Sequence, residues 1–74
     1  AGGIHAIYDA IDEAATDCFP IHDSPTANAA RRLTAISTIR YTIRQRTGFN
    51  CPESIASLLL EWAICLRKAP RPPQ

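Results

Sequence analysis

Few side chains in this sequence are spaced to do chemistry, and each such set has a plainer reading. His5 and Asp9 are four residues apart, on one side of a helix, where an imidazole and a carboxylate can share a proton or a metal ion. Asp17, Cys18, His22 and Asp23 put four possible ligands around one turn, and Cys51 can meet His5 at the opposite end of a bundle. Neither group has the paired Cys/His spacing of a structural zinc site, and His5 with Asp9 reads as an exposed helix pair. The sequence holds no Ser-His-Asp set, glycine-rich phosphate loop or paired-carboxylate arrangement. The expectation is a non-enzymatic protein with no cofactor and no metal, because a chain this short has little interior left once its core is filled.

Charge is distributed in blocks. Residues 1–24 hold Asp9, Asp12, Glu13, Asp17 and Asp23 and no lysine or arginine, whereas residues 25–50 hold Arg31, Arg32, Arg40, Arg44 and Arg46 and no acid. The blocks match in number, so an acidic first helix packed beside a basic second one can answer much of its charge, within the chain or in a neighbour. At 100° per residue Arg40 and Arg44 flank one edge of the apolar stripe of the second helix, Arg46 flanks the other, and Arg32 falls near the stripe itself. The outward face then carries Arg31, Thr34, Thr38, Thr42 and Gln45. A phosphate-binding surface gathers its cations on one accessible face, which this arrangement does not do. A helix-turn-helix over the second and third helices fits poorly too, since Glu53 and Glu61 would oppose the phosphate walls of the major groove. Nucleic-acid binding by the arginine-rich helix is the alternative reading.

Two features suit a protein partner. Tyr8 and Tyr41 lie off the main apolar stripes of the first and second helices, where amphipathic rings often anchor interfaces, while Trp62 fits the core stripe of the third. In the tail, Arg67, Pro70 and Pro73 have the RxxPxxP spacing of a polyproline ligand, although Arg67 still belongs to the third helix.

The elements that must position these residues are three helices. Ile4, Ile7, Ile11, Ala14 and Cys18 recur at steps of three and four, which predicts a helix over about 4–18 ending ahead of Pro20. Ser24 and Pro25 supply an N-cap and a first helical residue, and Gly48 a C-terminal cap, for a helix over 25–47 with Ala29, Leu33, Ile36, Ile39 and Ile43 inward. Asn50 and Glu53 form a candidate capping box for a helix over 51–68, with Ile55, Leu58, Leu59, Trp62, Cys65 and Leu66 as its buried stripe. Short connections predict an all-α, three-helix, up-down-up bundle over residues 4–68, followed by an extended proline-rich tail over 69–74. Residues 1–3 are read as a processed end or cloning scar. Within this topology Cys18 and Cys65 share one end of the bundle, so they are the pair to cross-link if any disulfide forms.

At 74 residues and 46% apolar content the chain makes one small domain with thin stability, for which self-association or a partner is a usual supplement. Formal charge is +1, and no apolar run approaches the length needed to cross a bilayer. Three cysteines without CxxC spacing fit reduced thiols and a cytoplasmic setting. The functional expectation is a helical protein-protein interaction or regulatory module, of a kind found among small bacterial or phage adaptors, working as a homodimer through the second helix and the edge of the third. Arg40, Tyr41, Arg44 and Trp62, with Tyr8, are its expected contact residues. A dimerisation or tethering domain cut from a larger protein is the other alternative.

Overall fold

The computed structural model of the chain describes residues 3–68, and the tail with Pro70, Arg71 and Pro73 lies outside them. Three helices form, α1 (Gly3–Thr16), α2 (Pro25–Thr47) and α3 (Glu53–Lys68), and each packs against the other two in an up-down-up bundle. No strand is present among the described residues.

Local signals account for most of the boundaries. Ser24 is extended (φ −81°, ψ 118°) and its hydroxyl accepts the Ala27 N–H at 3.3 Å, with Pro25 at the start of α2. Gly48 closes α2 in the left-handed region (φ 76°), and its N–H donates to the Arg44 carbonyl at 2.9 Å. α1 stops two residues short of the expected Cys18. There the N–H groups of Asp17, Cys18 and Phe19 turn to the carbonyls three residues back, at 3.2, 3.0 and 3.1 Å, which tightens the chain into a turn. α3 starts two residues after the expected Cys51. The Pro52 carbonyl accepts from Ile55 and Ala56 at 3.1 and 3.0 Å, so Pro52 opens the helix in place of the expected Asn50–Glu53 box. The α1–α2 connection is clamped by Asn28, whose side chain accepts the His22 N–H at 2.9 Å and donates to the His22 carbonyl at 2.7 Å.

The core mixes small and branched residues. Of its twelve buried members five are alanines, Ala14, Ala15, Ala35, Ala56 and Ala63, two are cysteines, and the rest are Ile11, Ile39, Ile43, Leu60 and Ile64. Ile39 and Leu60 are the largest fully buried ones. This packing overturns two expected faces. α2 is rotated so that Ala35, with Ile39 and Ile43, lies inside, leaving Leu33 59% exposed and Ala29 exposed. α3 turns Ala56, Leu60, Ala63 and Ile64 inward, so that Ile55, Leu58, Trp62, Cys65 and Leu66 of the expected core stripe are exposed and only Leu59 packs partly against the core. Ile4 at the start of α1 is exposed as well.

The arginines tie these elements together. Arg32 pairs with Glu61 across α2 and α3. Arg67 of α3 reaches the end of α1, where one guanidinium nitrogen lies 3.2 Å from the Asp12 carboxylate, donates to the Asp12 carbonyl at 3.2 Å and to the Thr16 hydroxyl at 2.9 Å. It also lies 6.0 Å from the Phe19 ring centre. A cation at the negative end of α1 is favourable, and the planar fork suits several acceptors at once. The expected ion pairing of α1 with α2 is not made among the described residues. Asp9, Glu13 and Asp17 instead line an open groove with Thr38, Thr42 and Arg46.

Replacing Ala56, which is fully buried against the other helices, should therefore destabilise even when the new residue is more apolar. Ala56→Leu is expected to cost about 1–3 kcal/mol by overpacking, and Ile39→Ala about 2–5 kcal/mol by leaving a cavity, both read by urea denaturation. A stabilised Ala56→Leu chain would contradict the close-packed arrangement. Arg67→Ala should cost about 1–2 kcal/mol, a value reduced from that of a buried charged hydrogen bond because both partners are partly in water. Arg67→Lys should recover less than half of it in the same denaturation measurement.

Candidate interaction surface

The displacement of large residues from the α3 core face creates one continuous apolar surface. On α3, Leu58, Trp62 and Leu66 follow one another at four-residue steps and are 66%, 46% and 58% exposed. On α1, Tyr8 comes up beside them. Its ring centre is 5.8 Å from that of Trp62, with the planes inclined at 49°, within the range of a favourable tilted aromatic pair. Because α1 and α3 run parallel, with Tyr8 beside Trp62 and Asp12 beside Arg67, the same register sets Ile4 and Leu58 one turn closer to the N-terminal ends. Between the two helices runs an open groove of about 450 Å³, floored by Ile11 and Ala63, walled by Tyr8, Trp62 and Leu66, and edged by Asp9 and Asp12.

Of the residues expected at a contact, the structure brings Tyr8 and Trp62 together and sets the other three apart from them on α2. Trp62 stands at the surface and not in the core. Tyr41 is 61% exposed, eight residues and about two turns beyond the exposed Leu33 on the same side of α2. Arg40 and Arg44 flank that line, yet both guanidinium groups are held within the chain. Arg40 Nε donates to the Cys51 carbonyl at 2.9 Å and Arg44 Nη1 to the Gly48 carbonyl at 2.6 Å, which secures the α2–α3 connection. Arg31 similarly donates to the Pro20 carbonyl at 3.4 Å. Leu58 and Leu66, the most exposed members of the surface on α3, escape the sequence reading because their spacing places them on a core stripe.

All three thiols are free: Cys18 and Cys51 are buried and Cys65 is exposed, so of the pair named for a possible disulfide only Cys18 packs inside. Burial pushes the Cys18 thiol above its ordinary value of 9.0; the Arg32 and Arg31 charges oppose this and Asp17 adds to it. Cys51 Sγ donates to the Pro52 carbonyl at 3.6 Å. Among the described residues no three His, Cys, Asp or Glu side chains converge on a metal-sized site, and no helix is long and apolar enough to cross a membrane.

Comparison with protein-family models, with curated proteins and with solved structures finds no match to this chain.

Because the folded chain holds the Cys18 proton more tightly than the unfolded chain does, the stability linked to it is intact below about pH 9 and is lost as pH rises further. Relative to a Cys18→Ala chain, the native protein should lose stability as pH rises above about 9 in parallel thermal melts. An equal response of the two chains would contradict a buried, protonated thiol.

Proposed function

We propose that this protein is a non-enzymatic protein-protein interaction module whose contact surface is the apolar face shared by α1 and α3, centred on Tyr8 and Trp62. The observation that carries this reading is that α3 buries Ala56, Leu60, Ala63 and Ile64 and leaves Leu58, Trp62 and Leu66 about half exposed or more. Each such side chain, roughly half exposed, forgoes on the order of 1 kcal/mol that full burial would contribute, a cost recovered when another molecule covers it. Aromatic anchors at the centre of a patch, ringed by smaller apolar groups and edged by charge, are the usual make-up of a protein contact.

A regulatory or adaptor role in the cytoplasm accords with a small domain that offers a surface and no reaction chemistry. The arginines weigh on the same side. Arg31, Arg32, Arg40, Arg44 and Arg67 each hold an acceptor of the chain itself, so using them on phosphates would cost the fold its internal ties.

Capture from a lysate of the source organism tests the reading, run with and without nuclease and with three chains: native, Leu58→Ser/Leu66→Ser, and Tyr41→Ala. Captured protein should survive nuclease, fall by about tenfold or more with the double variant, the loss typical of removing anchor residues, and stay level with Tyr41→Ala. Helix content by circular dichroism should be the same for all three. Capture that disappears with nuclease, or that follows Tyr41 and ignores Leu58 and Leu66, would contradict it.

A further inference from the structure

On the outer face of α3 the exposed Leu58, Trp62 and Leu66 stand at equal four-residue steps, so that Leu58 and Leu66 are symmetric about Trp62, while Leu59 packs partly against the core. When two copies of a helix pair antiparallel about a two-fold axis, each residue ahead of the axis faces one equally far behind it. With the axis at Trp62, Leu58 faces Leu66 of the second copy and the two Trp62 rings meet. We propose that the occupant of the α1–α3 surface is a second copy of this chain, joined through antiparallel α3 helices with Trp62 at the two-fold axis. The proposal rests on the reading of that surface as a protein contact.

Charge favours this face over the other exposed apolar line. A two-fold axis sets like groups against each other, so few unanswered charges can lie close to it. Glu61 is the only charged residue between Leu58 and Leu66, and it is turned to Arg32 of α2; of the two acids at the groove's edge, Asp12 is held by Arg67 and Asp9 is exposed. α2 carries five arginines and no acid, so pairing α2 with its own copy along Leu33 and Tyr41 would bring cations together. Antiparallel α3 helices also set the positive end of each dipole beside the negative end of the other. The area is adequate: the exposed parts of Ile4, Tyr8, Ile55, Leu58, Trp62 and Leu66 amount to on the order of 700 Å², near the roughly 800 Å² per partner of a stable interface.

Cysteine cross-linking distinguishes this arrangement from any other. In a Cys65→Ser background, Leu58→Cys and Leu66→Cys place thiols about 12 Å apart along one helix at 1.5 Å per residue, too far to bond within a chain. Across the proposed axis they lie opposite one another, while the native Cys18 and Cys51 are buried. Mild oxidation of the double variant should give a covalent dimer as the main product, reversed by reductant, whereas either single variant stays largely monomeric. Without substitutions, sedimentation equilibrium should give twice the 8.1 kDa of one chain at high micromolar concentration. The proposal is overturned if the double variant does not cross-link, if the single variants cross-link equally well, or if the native chain sediments as a monomer. Should that happen while Leu58→Ser/Leu66→Ser still lowers capture of another protein, the contact-surface reading stands with a different occupant; should capture be unaffected too, both fail.

Discussion

Close packing through alanine is the constraint on which the rest of this structure depends. Ala14 and Ala15 of α1, Ala35 of α2, and Ala56 and Ala63 of α3 are all buried. On α3 these alanines share the inner face with Leu60 and Ile64, and Leu58, Trp62 and Leu66 lie on the outer side. The core and the apolar surface follow from one facing of the helix. A core of this kind is also modest, since each buried methyl or methylene contributes only about 0.8 kcal/mol. Help from outside the core is in keeping with that, whether from side-chain ties or from a covered surface.

The side-chain ties come from arginine. In a chain whose connections expose backbone carbonyls, a guanidinium group can donate to them in directions a lysine cannot match. Arg40 and Arg44 secure the turn after α2, Arg31 reaches the connection before it, and Arg67 links the last turn of α3 to the end of α1. Four of the five arginines of α2 are used in this way, Arg32 being answered by Glu61, while Arg46 lines the groove beside the acids of α1. The acids of α1 stay mostly solvated, apart from Asp12 beside Arg67.

The elements were legible in the sequence where local chemistry decides them. Ser24, Pro25 and Gly48 marked both ends of α2, and the three-helix, up-down-up order follows from spacing and short connections. The facing of α3 was not legible. Apolar residues from Ile55 to Leu66 cover most of that helix, so periodicity offers more than one candidate stripe, and favouring the largest side chains selects the wrong one. Which stripe goes inside depends on how near α1 and α2 approach, a tertiary fact. For the same reason the Tyr8–Trp62 contact and the reach of Arg67 to Asp12 and Thr16 were hidden, since each joins residues more than fifty positions apart. The displacement of Tyr8 from its stripe was visible, and it pointed to the edge where the surface forms.

Trp62 is the sole tryptophan, so its fluorescence reports on the central claim directly. Iodide quenching would be measured from high to low protein concentration. The account predicts that Trp62 is readily quenched in dilute solution, where the face is open to water, and becomes protected as concentration rises and the face is covered. Protection that persists unchanged to the lowest concentration, in a chain that sediments as a monomer, would put Trp62 in the core and contradict the inside-out arrangement of α3.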